Sequence, residues 1–421
     1  MSATGLARPR GARNFFNHTF LSLNVRDFRY LWIGGFATQI GMWLQQVAQG
    51  WLAYELTGSA AFLAIIGLAR AAPSMLFTLP AGVLADRWDR RHMMLASQFL
   101  GMLNAGGLAW LVAAGRIEPW HLLVTSLVGA ITMSFNMPAR QALVPQLAGD
   151  EAIANAVALN SIAFNTSRVL GPALAGALIG FWGISACFMV QAAGFVWAMA
   201  WTAAISKNGA PPLWVGQRES IWRSLVDGLR YVKNSPVISG LLIIASVPIL
   251  LGMSYMQLMP VVASDVLKVG APGLGMLMTT LGVGSVAGSF LAASLSEYRN
   301  KGALLIGAGV MLGLGLIAFA LSPSLVPALG SLLVLGVAQA LIMALNQTLL
   351  NLAIVDEYRG RVLSVYMMTW NLSPIVFMPL GWLTDFTGPQ FTLAVAGVLT
   401  AVSILAIGAR VPAVREFGRA T

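Results

Sequence analysis

Long apolar runs follow one another along almost the whole chain, separated only by short clusters of charge, glycine or proline. A helix needs about 20 predominantly apolar residues to cross the hydrocarbon core of a bilayer, and the runs reach that length repeatedly. The pattern predicts twelve spanning helices. A first set covers 28–54, 60–85, 92–114, 119–137, 155–180 and 184–205, and a second covers 236–262, 272–296, 302–321, 325–354, 362–384 and 389–410. One long polar stretch, 206–235, separates the sets. Its Pro211-Pro212 pair reads as an interdomain linker, and Trp222, Leu225, Val226 and Leu229 share one face of a helix that would lie on the membrane surface; a simple tether fits the same residues. The expected organisation is an all-α integral membrane protein of twelve transmembrane helices. It has a basic tail (1–27), a six-helix bundle (28–205), the linker (206–235), a second six-helix bundle (236–410) and a short tail (411–421).

Composition agrees with the pattern. Of 421 residues, 57% are hydrophobic and 10% charged, far too apolar for a soluble chain of this size. The net charge of +10 would point a soluble protein toward nucleic acid, but its distribution has a different meaning here. With an even number of helices, both tails and alternate loops fall on one side of the membrane. That side carries 21 of the 25 Lys and Arg residues, including Arg87, Arg90, Arg91, Arg140, Lys207, Arg218 and Arg359. The other side has Arg116 and Lys268, and Arg70 and Arg168 fall inside spans. Excess Lys and Arg mark the cytoplasmic face, so both termini are expected in the cytoplasm of a cell in whose plasma or inner membrane the chain sits, with no nucleic-acid partner. The first 27 residues hold Arg8, Arg10, Arg13 and Arg26 without an apolar core and do not read as a cleavable signal. The lone Cys187 excludes an internal disulfide and offers no metal cluster, so neither metal nor cofactor is expected.

The two sets echo each other. At a shift of 211, Asp86-Arg87-Trp88-Asp89-Arg90-Arg91 lines up with Glu297-Tyr298-Arg299-Asn300-Lys301-Gly302. At a shift of 205, Gly176, Phe181 and Gly183 line up with Gly381, Phe386 and Gly388. Paired halves suit a duplicated transporter whose substrate site lies between the repeats near the midplane.

Gly82, Leu84, Ala85, Asp86, Arg87, Arg90 and Arg91 form the loop after the second helix. They resemble the loop signature of the major facilitator superfamily, Gly-x-Leu-Ala-Asp-Arg-x-Gly-Arg-Arg/Lys, with Asp89 in place of the last glycine. Trp51-Leu-Ala-Tyr-Glu-Leu-Thr-Gly58, Pro138-Ala-Arg-Gln-Ala-Leu143 and Arg168-Val-Leu-Gly-Pro172 are similar to the drug:proton antiporter branch that contains enterobactin and macrolide exporters. The resemblance implies the major facilitator fold, two pseudo-symmetric six-helix bundles. It also implies that the loop latches the bundles together on the cytoplasmic side when the transporter opens outward. In physical terms Asp86 would pair with Arg90 or cap a neighbouring helix N-terminus, so Asp86→Asn would cut transport and leave insertion intact. The plainer alternative makes Arg87, Arg90 and Arg91 topology determinants only. Ser167-Arg-Val-Leu-Gly-Pro-Ala-Leu-Ala-Gly176 resembles the antiporter signature Gly-x-x-x-Gly-Pro-x-x-Gly-Gly, with Ser167 and Ala175 replacing two glycines. Its Arg168, Gly171, Pro172 and Gly176 imply close bundle packing associated with export. Small residues and a proline bend serve ordinary helix packing equally well.

The remaining polar residues inside spans are the candidates for a translocation path. An arginine at mid-membrane costs at least ~2.5 kcal/mol on insertion scales, so Arg70 and Arg168 require a partner. Two readings stand: a role toward an anionic substrate or a nearby proton site, or a tie to carbonyls at the bends near Pro73 and Pro172. Glu55 and Asp385 close helices one and eleven at the outer face and are the candidate proton sites; capping a helix end explains them as well. Proton coupling itself comes from the resemblance. Gln39, Trp43, Gln46 and Gly50 share one face of helix one, beside Gln45 and Gln49. With Arg70, Tyr255, Gln257, Asn346 and Trp370 they form the candidate substrate cavity. Met256, Met259, Gln347 and Asn371 add soft and polar surface suited to an amphipathic ligand. Hydrogen bonding within each bundle is the alternative use of the same side chains.

The expected function is secondary active transport by alternating access, as a proton-coupled exporter of a small amphipathic compound such as a drug, macrolide or siderophore, working as a monomer in the bilayer. Lysophospholipid flipping and metabolite import are alternatives within the fold. A membrane-embedded enzyme is disfavoured, because His18, His92 and His121 are scattered and no nucleophile–base spacing occurs. No Gly-x-x-x-x-Gly-Lys-Ser/Thr phosphate loop points to a nucleotide-driven pump.

Overall fold

Inside hydrocarbon every backbone polar group must be satisfied within the protein, and an unbroken apolar run does that as a helix. The computed structural model describes residues 21–85, 87–206, 221–295 and 297–416. Among these, twelve long helices and no strand occur. The first six are α1 (Arg26–Thr57), α2 (Ala60–Ala85), α3 (Arg90–Ala113), α4 (Pro119–Ala148), α5 (Ile153–Trp182) and α6 (Ile184–Ala203). The second six are α7 (Pro236–Val266), α8 (Gly270–Ser294), α9 (Lys301–Ala320), α10 (Leu325–Ala353), α11 (Asp356–Thr387) and α12 (Pro389–Arg410). Ten of these are long and apolar enough to cross a membrane. The other two, α1 and α11, begin with charged turns, and α1 also carries the glutamine rows, which dilute their hydropathy.

Several boundaries differ from those the pattern predicts. α4 does not stop at 137 but runs through Pro138 and Pro145 to Ala148. A proline removes one backbone donor and bends the helix, and neighbouring helices keep the bent segment in place. Arg140 therefore sits within a helix and not in a loop. Its guanidinium lies over Gly35 of α1 and donates to Asn160 of α5 at 3.4 Å, a structural tie inside the first set. α11 starts at Asp356, ahead of the predicted 362. α7 extends to Val266 and is interrupted by π turns at Pro248–Gly252 and Val262–Val266, of the kind that proline insertions and functional sites produce. Part of the linker is helical, Ile221–Asn234, and packs on α11, where Tyr231 stacks on Tyr358 with ring centroids 4.3 Å apart. Of its proposed membrane face, Leu229 is exposed. The side chains of Trp222, Leu225 and Val226, and the Pro211-Pro212 pair, lie outside the described residues.

Helices pack chiefly within their own set: α1 on α5 and α6, α2 on α4, α3 on α4 and α6, then α8 on α10 and α9 on α10 and α12. Two seams join the sets, α5 against α8 and α2 against α11. The echoes in sequence are echoes in geometry. Asp89 accepts from the backbone N–H groups of Arg91 (2.8 Å) and His92 (3.0 Å) at the start of α3, and Asn300 accepts from Ala303 (3.4 Å) at the start of α9. Gly183 and Gly388 end α5 and α11 with φ of +83° and +86°, a backbone region that only glycine enters without strain. Phe181 and Phe386 stand 80% and 88% exposed beside them, at a helix end where aromatic rings meet a membrane interface.

Candidate translocation path and its two ends

The end of the molecule bearing Arg87, Arg90 and Arg91 is the basic end; the other is the far end. At the far end the seams are tight. A Cβ added at Gly275 of α8 would lie 2.7 Å from Gly176 Cα and 2.8 Å from the Pro172 carbonyl oxygen, so the helices meet backbone to backbone. Gly282 extends the contact to Arg168 and Val169. On the other seam, a Cβ at Gly381 of α11 would lie 3.0 Å from the Ala60 carbonyl oxygen and 3.1 Å from Ala64 Cβ of α2. Here a carboxylate is added. Asp385 accepts from the backbone N–H groups of Ala60 (2.6 Å) and Ala61 (3.2 Å) and from Ser59 Oγ (2.7 Å), capping α2 from across the seam. Nearby, Tyr54 Oη of α1 donates to Asp265 of α7 at 2.5 Å. Glu55 is exposed.

At the basic end the motif's arginines stay inside the first set. Buried Arg90 donates from Nε to the Ala85 carbonyl (3.2 Å) and from Nη1 to Gln146 Oε1 of α4 (3.0 Å). Arg91 donates to the Thr202 carbonyl at 3.2 Å and to that of Ala203, closing the C-terminus of α6, where a cation also suits the helix dipole. Arg87 is exposed, and half-buried Gly82 has open space at its Cβ position. Asp89 caps the start of α3; Asp86, expected to pair with Arg90 or cap a neighbouring helix, lies outside the described residues. A separate hydrophobic cluster around Phe28, Leu143, Leu147 and Leu159 belongs to this end of the first set alone, whereas the main cluster runs through both sets.

The middle holds two polar chains. In the first, Arg70 Nη2 donates to Gln49 Oε1 at 2.6 Å. Gln49 donates to Ser126 Oγ (2.7 Å) and the Leu122 carbonyl (3.0 Å) of α4; Gln45 donates to Gln49, and Gln191 of α6 to Gln45. The second glutamine row of α1 thus serves internal bonding. In the second chain, Arg168 Nη2 of α5 donates to Gln339 Oε1 of α10 (2.9 Å), and Tyr255 Oη of α7 approaches the same oxygen at 3.3 Å. Both arginines bind glutamine side chains, not the carbonyls expected at the proline bends. Gln339 is the residue that sequence reasoning missed. It shares a helical face with Asn346, but its partner is 171 residues away, so nothing local pairs it with Arg168. The two π turns of α7 bracket Tyr255 and Gln257, and Gln257 lies against Gly67, one turn from Arg70.

Trp43 packs on Gly171, so the glycines of the α5 motif serve two neighbours, Gly171 facing α1 and Gly176 facing α8. Trp43 Nε1, Gln39 Oε1 and both amide atoms of Asn346 are buried with no partner among the described residues. Gln46 is half-buried. The side chains of Trp370 and Asn371 lie outside the described residues.

Close seams at the far end, arginines bonded within the first set at the basic end and a polar core between duplicated halves describe a transporter. The family model for transmembrane secretion effectors, of the major facilitator superfamily, matches residues 18–419. The chain belongs to this family. Among relatives, the multidrug efflux pump Tap of Mycolicibacterium fortuitum is 25% identical over 384 residues, covering 89% of this chain and 93% of its own. The enterobactin exporter of Citrobacter koseri is 26% identical over 327 residues, covering 77% and 74%. A solved bacterial homologue of the human lysosomal transporter Spinster superposes with a TM-score of 0.71 at 15% identity, over 97% of this chain and 98% of that one, a likeness of fold. The family assignment makes the chain a multi-pass membrane transporter of the efflux branch and not an enzyme.

Proposed function

We propose that this protein is a proton-coupled secondary exporter of a small amphipathic compound, working as a monomer in the inner membrane by rocking of two bundles, 28–205 and 236–410. The observation that carries this reading lies in the seams: the backbone contacts at Gly275 and Gly381 and the Asp385 cap join the sets at the far end, while among the described residues Arg90 and Arg91 bond to α4 and α6 within the first bundle. The Lys and Arg distribution supports a cytoplasmic basic end, and with it a state open toward the compartment from which an exporter loads. Relatives that pump drugs and export enterobactin support the direction of transport. Release requires the α2–α11 latch to part. Asp385 is then the proton site, because a proton arriving from outside removes the charge that holds the N-terminus of α2. In the outward-open state the loop at Asp86–Arg91 closes the cytoplasmic side.

The test is transport into everted membrane vesicles, with a macrolide and a lipophilic dye as probes. Accumulation should appear on energisation and vanish when an ionophore collapses the pH gradient. Undiminished accumulation after collapse would exclude proton drive.

A further inference from the structure

The distribution of acidic residues leaves the middle of this transporter without a negative charge. Helices α2 to α6, α8 to α10 and α12 contain no Asp or Glu. Those on α1, α7 and α11 sit in terminal turns: Asp27, Glu55, Asp265, Asp356, Glu357 and Asp385. Arg168 lies about 22 Å along α5 from its start and Arg70 about 15 Å along α2, at a rise of ~1.5 Å per residue. Neither has a carboxylate within 4.0 Å among the described residues. Each guanidinium is held instead by a neutral amide, Gln49 or Gln339. An amide fixes direction but neutralises nothing, and a buried cation without a counter-charge is expensive.

We infer that the counter-charge arrives with the substrate: the transported compound carries a carboxylate or similarly compact acidic group, bound by Arg168 with Arg70 as the second cation. This rests on the exporter reading above and narrows it to anionic amphiphiles. A guanidinium presents a planar fork of donors matched to a carboxylate. Arg168 uses one donor on Gln339, which is itself buried and shared with Tyr255, so the fork of a first-bundle arginine is aimed by residues of the second bundle. Two further buried groups lack partners among the described residues. Trp43 Nε1 belongs to the ring packed on Gly171, three residues from Arg168, and the Asn346 amide is two turns along α10 from Gln339. Neutral donors beside a cation complete an anion site, whereas a cation-selective cavity would need an acid that this depth of the protein lacks.

Two measurements on the full-length protein decide the inference, using fusidate, a steroid carboxylate, and its uncharged methyl ester. In neutral detergent, fusidate should raise the unfolding temperature of the wild type more than the ester does. In everted vesicles, fusidate should accumulate in preference to the ester and to the cation ethidium. Arg168→Gln should lower fusidate accumulation at least tenfold and abolish the acid-dependent thermal shift, and Arg168→Lys should retain part of both. Gln339→Glu supplies an internal carboxylate to Arg168. It should fold at least as stably as the wild type while losing the preference for the acid. Equal shifts by acid and ester, or a preference that survives both Arg168→Gln and Gln339→Glu, would overturn the inference. A shift produced by sodium chloride alone, and unaffected by fusidate, would also overturn it, since the site would then hold an inorganic anion. If nothing accumulates in vesicles but the acid-dependent shift persists, the exporter reading fails and the anion site stands. Accumulation of ethidium without fusidate does the opposite: the exporter reading stands and the anion site fails.

Discussion

The two seams that join the bundles are related by the internal duplication, yet they are built differently. Gly176 on α5 and Gly381 on α11 correspond at the shift of 205, and their neighbours Pro272 and Gly275 on α8 correspond to Ala61 and Ala64 on α2 at the shift of 211. Each seam is thus one small-residue contact used twice. On α5 the seam continues to Gly180, where an added Cβ would lie 3.2 Å from the Pro272 ring. On α11 the matching position is Asp385, which caps α2 with three hydrogen bonds. A dry backbone contact of the first kind has no titratable group and responds to nothing but packing. A carboxylate holding a helix N-terminus adds hydrogen bonds and a charge that suits the helix dipole. The duplication therefore supplies one seam held by packing alone and one held by a carboxylate cap as well.

The strongest way to break the comparison is to fill the tighter seam. At Gly275 an alanine Cβ would meet backbone atoms at 2.7 and 2.8 Å, which cannot move aside as a side chain tip does. Overpacking of this kind costs about 1–3 kcal/mol, and Gly275→Ala should lower thermal stability in detergent and cut vesicle transport more than tenfold. Gly381→Ala meets its neighbours at 3.0 to 3.2 Å, so a shift of a few tenths of an ångström relieves it. Its stability loss should be smaller, with part of the transport retained. Equal damage at both glycines would mean that the seams carry equal load.

Releasing the polar seam has the next largest effect. Asp385→Ala removes the cap, which is worth about 1 kcal/mol, and should shift the population toward an open far end several-fold. Ala61 is 8% exposed behind the latch, so Ala61→Cys reacts slowly with an impermeant maleimide added from outside. The only native cysteine, Cys187, is buried. Labelling should accelerate several-fold in the Asp385→Ala background. Asp385→Asn, which keeps an acceptor and loses the charge, should accelerate it less than Asp385→Ala does. A labelling rate indifferent to both changes would leave the α2–α11 seam as inert as its counterpart.

How much of this is legible in the sequence depends on range. The spans, the duplicated halves and the paired glycines at 183 and 388 follow from local rules: apolar length, spacing, and a backbone conformation that glycine alone adopts freely. The candidate site is half legible. The polar face of α1 announces Gln39, Trp43 and Gln46, and a charge inside a span singles out Arg70 and Arg168. Their partners are not readable, because Gln49, Gln339 and the α2 N-terminus come into place only through tertiary packing. The helix end expected at Pro138 fails for a related reason: a proline ends an isolated helix, whereas packed neighbours carry this one ten residues further. Asp89 is within reach of local reasoning as the residue directly before α3, a capping position by type and place. An expected helix start at 92 hides it.

The smallest effect tests whether the asymmetry between halves is confined to the seams. Asp89 and Asn300 occupy equivalent loops and cap equivalent helices, α3 and α9. Asp89 makes two bonds at 2.8 and 3.0 Å and adds a negative charge at a helix N-terminus, whereas Asn300 accepts from Ala303 at 3.4 Å with no charge. Capping is worth about 0.5–2 kcal/mol and the dipole adds roughly 0.3–1 kcal/mol at an exposed site. Asp89→Ala should therefore lower the unfolding temperature by more than Asn300→Ala, with Asp89→Asn in between, because it keeps the acceptor and loses the charge. None of the three should alter the maleimide accessibility of Ala61→Cys, since both caps lie at the basic end and the latch at the far end. If Asp89→Ala did speed that labelling, the loop would be coupled to the distant latch across the first bundle, and the two ends could no longer be treated as separate regions.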